Sequence, residues 1–277
     1  MQQRNETVSM DEIRVLAGGL RFPEGPAFDA SGCLWCVEQE GEGLFCRDKN
    51  GSMMRVHTGG RPNGIVIQDE HIWFCDSGQN TIRRMSIETK TIDTILTKIG
   101  GRPLNKPNDL LFDNRNNLIF TCPGPEDGKE AGYVAVRTPT GLVNVIADGL
   151  SYPNGLVLLP NTKTLLIAET HRQRIWAGFW DDEGLSWETI RVWAHVIDAP
   201  ANALFPGPDG MAIGPDGNLY AAIFGAGLIR VLSTEGEFVR DISLPGQNPT
   251  NCVFDPSGKL GLVVTESERG ELLSIVF

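Results

Sequence analysis

The sequence predicts an all-β chain: a six-bladed β-propeller of four-stranded blades, closed by an N-terminal strand that joins the last blade. Three observations predict it. Six times a proline precedes a polar residue and a short apolar run: Pro23-Glu24-Gly25-Pro26-Ala27-Phe28, Pro62-Asn63-Gly64-Ile65-Val66-Ile67, Pro107-Asn108-Asp109-Leu110-Leu111-Phe112, Pro153-Asn154-Gly155-Leu156-Val157-Leu158, Pro208-Asp209-Gly210-Met211-Ala212-Ile213 and Pro249-Thr250-Asn251-Cys252-Val253-Phe254. The polar positions recur roughly every 40 to 55 residues, the period of a propeller blade. Within each repeat the apolar runs are short, β-branched and separated by Gly, Asp, Asn or Pro, which marks strands and turns.

Taken in order, the first repeat offers an inner strand ending at Phe28 and a turn at Asp29-Ala30-Ser31-Gly32. A second strand follows at Cys33-Leu34-Trp35-Cys36-Val37, a third at Leu44-Phe45-Cys46-Arg47 and an outer one at Met53-Met54-Arg55-Val56. The third repeat gives the same count through Leu118-Ile119-Phe120, Tyr133-Val134-Ala135-Val136 and Leu142-Val143-Asn144-Val145-Ile146. The last repeat has only Leu260-Gly261-Leu262-Val263-Val264 and Leu272-Leu273-Ser274-Ile275-Val276 after its inner strand, so it is one strand short. The spare strand Ile13-Arg14-Val15-Leu16-Ala17, before the first ring position, would complete that blade and remove an exposed edge. Between Trp180 and Pro208 the spacing is longest, which predicts an insertion near the channel mouth. The period runs almost end to end with no linker, so residues 1–277 are expected to form one domain.

A formal net charge of −11 argues against nucleic acid, which needs a basic footprint, and against an anionic membrane surface. Met1 to Glu12 is polar and carries no apolar core of a secretory signal, and no run approaches the length of a membrane span. Six scattered cysteines sit mostly in strand-like apolar runs. Cys33 and Cys36 are an odd number apart, so on a strand they face opposite sides, and buried reduced thiols in a cytoplasmic protein are expected. Nothing in the chain sets the oligomeric state.

Stacked about one axis, Glu24, Asn63, Asn108, Asn154, Asp209 and Thr250 would face one another at one end of a channel, each just before an inner strand. Two carboxylates, three amides and a hydroxyl are hard oxygen donors suited to one divalent cation, Ca²⁺, Mg²⁺, Mn²⁺ or Zn²⁺. Without a cation the two carboxylates would repel, and one would tend to hold a proton. Pro-Asn-Gly and Pro-Asp-Gly are also ordinary turn tripeptides. Glu24 is not explained that way, because Glu has no turn role.

The segments Arg21-Phe22-Pro23-Glu24-Gly25-Pro26, Lys106-Pro107-Asn108-Asp109, Tyr152-Pro153-Asn154-Gly155-Leu156 and Gly207-Pro208-Asp209-Gly210-Met211-Ala212 resemble the signature of the gluconolactonase/regucalcin (senescence marker protein) family. The resemblance spans essentially the whole chain. It implies a metal-bearing six-bladed propeller in which Glu24, Asn154 and Asp209 are ligands and Asn108 contacts substrate or completes the coordination. It also implies metal-dependent hydrolysis of a lactone, such as a sugar aldonolactone, with the metal polarising the carbonyl and activating water. Asp209 is the candidate for taking the proton of that water. The family places an Arg two residues before the equivalent of Asn108; here Lys106 stands there, without the bidentate fork, and Arg102 is the expected compensation. Glu126 falls where some relatives contact substrate. Cys122 departs from the family's Thr-Asp-Pro at Thr121-Cys122-Pro123, so the departures cluster on the substrate side.

Other signals carry less. His57, His71, His171 and His195 avoid the ring positions and are expected at the surface or hydrogen-bonded, although Thr170-His171-Arg172 follows a strand and could reach the channel. No Gly-x-Ser-x-Gly elbow or phosphate-binding loop is present. Trp35 and Trp73 are expected to pack between blades. Alternatives to a lactonase are a calcium-binding regulatory propeller without turnover, an organophosphate or aryl-ester hydrolase on the same metal site, and an interaction platform of the NHL or kelch sort, which would need no channel carboxylates. Strictosidine-synthase-like propellers would lack this acid and amide set.

Overall fold

Short alternating runs cannot bury themselves alone, and the chain solves this by stacking small sheets around an axis. The computed structural model describes residues 13–197 and 205–277. Its strands form six four-stranded antiparallel sheets plus one two-stranded hairpin, Lys98–Ile99 with Arg102–Pro103. Blade 1 comprises Pro23–Phe28, Leu34–Glu38, Gly43–Arg47 and Met53–His57, and blade 2 comprises Pro62–Gln68, His71–Asp76, Thr81–Ser86 and Ile92–Leu96. Blade 3 runs Leu110–Phe112, Leu118–Cys122, Gly132–Arg137 and Val143–Leu150, and blade 4 runs Pro153–Leu158, Thr164–Glu169, Arg174–Asp181 and Ser186–His195. Blade 5 is Gly207–Ile213, Leu219–Phe224, Leu228–Leu232 and Phe238–Ser243. Blade 6 takes Pro249–Phe254, Leu262–Glu266 and Glu271–Ile275 from one end of the chain and Ile13–Ala17 from the other.

The core is a ring of apolar layers between neighbouring blades, and the period of two along each second strand divides its side chains between them. Trp35 and Val37 pack toward blade 2 with Ile65 and Phe74, whereas Leu34 and Cys36 pack toward blade 6 with Val263 and Leu272. Second strands are therefore buried on both faces, and Leu34–Glu38 has no exposed residue. Cys33 joins the first of these layers and Cys36 the second, as their odd spacing requires. All six cysteines are free thiols. Trp73 meets Phe112 of blade 3 edge-on at 5.3 Å, an inter-blade contact of the expected kind.

Two expectations need revision. The ring residues do not precede the inner strands: in five blades they lie inside them, and only in blade 3 does the strand begin, at Leu110, beyond Asn108. In those five the strand pairing slips at the ring residue or directly after it, as between Glu24 and Ala27 or Pro208 and Met211. A bulge re-aims side chains and bends the strand, and Glu24, Asn63, Asn154 and Asp209 all reach the channel cavity. The long spacing near residue 180 comes in part from the strands Arg174–Asp181 and Ser186–His195, of 8 and 10 residues. The rest of the expected insertion, 198–204, lies outside the described residues.

Candidate active site

Three storeys of side chains follow from the repeated motif. The position two before each ring residue is Phe22, Arg61, Lys106, Tyr152, Gly207 and Asn248, and the position just after it is Gly25, Gly64, Asp109, Gly155, Gly210 and Asn251. The ring lies between these two sets. Gly25 has φ +50°, and a Cβ there would stand 2.7 Å from Ile65 N, so only glycine lets adjacent inner strands approach this closely.

Glu24, Asn63, Asn108, Asn154 and Asp209 all line one cavity of about 220 Å³, and each is nearly buried, at 3–7% exposure. Thr250 does not join them: its hydroxyl, fully buried, lies 2.8 Å from Pro23 O and 2.8 Å from Thr265 Oγ1, tying the last blade to the first. Asn154 Nδ2 donates to Thr170 Oγ1 at 3.2 Å, which leaves the amide carbonyl as the end open to a cation. Glu24 Oε2 accepts from Gly25 N at 3.0 Å. Neither Glu24 nor Asp209 has a Lys or Arg partner among the described residues.

Beneath them lies Asp109, which the sequence reading passed over. It is buried too, and its carboxyl is pushed up to about 7 by burial, against hydrogen bonds from Leu110 N, Leu156 N and Asn251. Burial, then the charge of Asp109, raises Glu24; burial, then Glu24 and Asp109, raises Asp209 well above the carboxylate range. Three carboxyls thus converge, none of them ion-paired to Lys or Arg among the described residues. Their signal was present in sequence, since Asp109 and Asn251 stand where the other four copies have glycine.

No cluster of three His, Cys, Asp or Glu with metal-ligand geometry occurs among the described residues. The donor set is instead two carboxylates and amides, oxygen ligands that fit a hard divalent ion and repel one another without it.

The mouth of the cavity departs more from expectation. Glu126 lines it, carried there by the segment after Leu118–Cys122. Lys106 and Arg102 do not: both are exposed, Arg102 on the small hairpin, and neither belongs to the cavity wall. Lys106 holds φ +56°, and its amide donates to Asn80 Oδ1 at 2.9 Å. The cation on the wall is Arg61, the equivalent residue one blade earlier. Phe22, Tyr152, Phe205 and Phe224 line the cavity as well, with Gln39 and Glu40, and Phe22 O accepts from Gln39 N at 3.0 Å. Phe22 and Tyr152 share the left-handed backbone of Lys106, at φ 55° and 63°, strain that the surrounding structure must offset. His171 is neither at the surface nor hydrogen-bonded through Nε2; it is buried, stacks on Tyr152 at 4.6 Å and meets Phe205 edge-on at 5.6 Å. Burial holds its imidazole below its usual range, so it serves as an aromatic prop. Phe22, Arg61 and Tyr152 stand at the repeated position two before the ring, whereas Gln39, Glu40, Glu126 and Phe205 come from segments between strands that no repeat marks.

Larger clefts of about 690 and 520 Å³ run along the turns around Asp29, away from the ring, and are lined by turn residues without a convergent titratable set.

Residues 22–268 match the family model described as "SMP-30/Gluconolactonase/LRE-like region". The chain belongs to this family. It is 32% identical over 210 residues to the gluconolactonase of Zymomonas mobilis, covering 71% of this chain and 58% of that one, so it spans little more than half of that relative. It is 25% identical to the diisopropyl-fluorophosphatase of Loligo vulgaris over 89% of this chain and 86% of that one. A gluconolactonase structure from Xanthomonas campestris superposes with a TM-score of 0.82 at 24% identity, covering 95% of this chain and 88% of its own, which bears on the fold.

Proposed function

We propose that the chain is a metal-dependent lactone hydrolase whose site is the cavity floored by Glu24, Asn154 and Asp209. One observation carries the reading: two buried carboxylates and three amides converge with no Lys or Arg ion-pair partner for the carboxylates among the described residues, and a third carboxylate lies beneath. The family match and the identity to a gluconolactonase support it.

Glu24, Asn154 and Asp209 would hold the cation, with Asn108 beside it. When bound, the cation supplies Lewis-acid polarisation of the lactone carbonyl and charge for the developing oxyanion. The protein's own part is to place and to deprotonate. Asn63 and Asn108 offer amide donors and acceptors to the ring oxygens of the substrate. Asp209 is the carboxylate placed to take a proton from the attacking water. A cavity of about 220 Å³ admits a small monocyclic lactone and excludes a polymer.

The test is acid release from a panel of small lactones, aldonolactones included, after chelation and with each divalent ion restored. Activity should vanish on chelation and return with the cation. Glu24→Gln and Asp209→Asn should each lower kcat by about a hundredfold or more. Wild-type protein that binds cation by calorimetry yet opens no lactone faster than buffer would overturn the reading. The 25% identity to a diisopropyl-fluorophosphatase favours a second reading, ester or fluorophosphate hydrolysis at the same site, and such substrates belong in the panel.

A further inference from the structure

Arg61 occupies an unusual position for a cation in so acidic a chain. Its backbone is fixed on both sides: the amide donates to Asp76 Oδ1 at 3.0 Å, and the carbonyl accepts from Ser77 N at 2.9 Å and Ser77 Oγ at 3.1 Å. Its guanidinium donates through Nη2 to Gln39 Oε1 at 2.7 Å, and Gln39 is itself only 7% exposed, with its backbone amide bonded to Phe22 O. Among the described residues that is its only side-chain hydrogen-bond partner. No carboxylate lies within ion-pair distance among the described residues, although Glu24, Glu40, Glu126 and Asp209 line the same cavity. Several N–H groups of a pre-oriented fork therefore remain to be filled, and the geometry such a fork matches is a carboxylate.

The same wall carries four aromatic side chains, Phe22 beside Gln39 and Tyr152, Phe205 and Phe224 from blades 4 and 5, and of these only Tyr152 has a side-chain polar atom. A hydroxyl of the substrate pressed against Phe22, Phe205 or Phe224 would lose water without gaining a partner. Carbon skeleton fits there; oxygen does not. The cation is also displaced by one blade relative to Lys106, which stands at the equivalent position in blade 3 and is turned away from the cavity. The anion-reading pole of this chain is consequently in blade 2.

We infer that the site selects small lactones bearing a side-chain carboxylate, which Arg61, held by Gln39, binds while Phe22, Tyr152, Phe205 and Phe224 take the carbon skeleton. The inference rests on the lactonase reading for its reaction but not for its binding pole. Two measurements keep them apart. The first compares kcat/KM for a γ-lactone with a free side-chain carboxylate, its neutral carboxamide and a polyhydroxylated lactone, on wild type, Arg61→Gln and Arg61→Lys. The carboxylate should be preferred to the carboxamide at least tenfold by the wild type, the polyol should be poorest, Arg61→Gln should bring the acid-to-amide ratio near one, and Arg61→Lys should restore part of it. Equal use of acid and amide, or a preference surviving in Arg61→Gln, overturns the inference while leaving the lactonase reading intact.

The second measurement is calorimetry with glutarate as the probe on the cation-loaded protein. Binding should weaken at least tenfold in Arg61→Gln, with the thermal midpoint checked to show that the variant is folded. If no lactone is opened, the lactonase reading fails and this titration decides the inference alone. Glutarate binding that is absent, or unchanged by the substitution, sinks it.

Discussion

Glu24, Asp109 and Asp209 form the most conditional part of the chain at the residue scale, because each is held where its charged form is disfavoured. All three have folded pKa values raised above their ordinary ones. In the window between about pH 4 and 7 the folded metal-free protein therefore binds more protons than the unfolded chain, and the sign of the linkage makes stability fall as pH rises. The limiting slope is about 1.4 kcal/mol per pH unit for each such group. Cation-free protein should thus melt at a lower temperature at pH 7.5 than at pH 5, and saturating divalent cation should abolish or reverse the trend. Glu24→Gln should flatten the metal-free slope. A midpoint that climbs from pH 5 to 7.5 without cation would show that these carboxyls are not repelling one another. The ring was legible in sequence because six copies of one motif place it. Arg61 was not: it occupies the same repeat position as Phe22, Lys106 and Tyr152, and only the folded backbone shows which of the four reach the cavity. Lys106 fails to do so while keeping a left-handed φ. Lys106→Gly, which relieves that conformation at an exposed site, should stabilise by up to about 1 kcal/mol in urea titrations.

Single elements are held by a device that the repeat spacing does not advertise. At the end of the second strand in blades 1, 2, 4 and 6 stands a buried carboxylate, Glu38, Asp76, Glu169 or Glu266, that caps backbone amides of the segment entering the inner strand. Asp76 is the fullest case. It accepts from Arg61 N, Gly78 N and Gln79 N and pairs with Arg83 Nη1 at 3.0 Å, with no exposed surface of its own. Blades 3 and 5 carry Cys122 and Ile223 there instead, and the residues that follow, Glu126 and Phe224, line the cavity. Removing one partner of a buried pair leaves the other charge uncompensated. Asp76→Ala should therefore cost about 3–5 kcal/mol, read as a lowered urea midpoint at unchanged m-value. Loss below about 1 kcal/mol would mean that water replaces the carboxylate. The strands named in blades 1, 3 and 6 were readable to within about four residues at their ends, since alternation and turn chemistry act locally. The bulges were not, because a bulge is set by the crowding of six inner strands around one axis, which no single repeat contains.

Closure is the property of the whole molecule on which the site depends. Blades 1 to 5 contribute side chains to one cavity and blade 6 completes the ring behind them, so any opening between blades 6 and 1 would spread Glu24 away from Asn154 and Asp209. Two bonds of different kind seal that seam. Inside, Thr250 reaches Pro23 O from the ring itself; outside, Ile13–Ala17 pairs antiparallel with Glu271–Ile275, with partners from Ile13↔Ile275 to Ala17↔Leu272. The outer pairing also hides an edge that would otherwise present unpaired N–H and C=O groups. Between the two, Ala17 and Leu20 are buried with Leu34, Phe45, Val263 and Leu272. Deleting residues 1–17 should leave a three-stranded sixth blade, lower the thermal midpoint and yield oligomers by light scattering, because Glu271–Ile275 becomes a free edge. Adding a synthetic peptide of residues 11–19 should reverse that added association, and cation affinity should recover with it, since the ring carboxylates reconverge only when the seam is shut. A truncated protein that gains no association and keeps full cation affinity would show that Thr250 and the inner ring hold the seam by themselves.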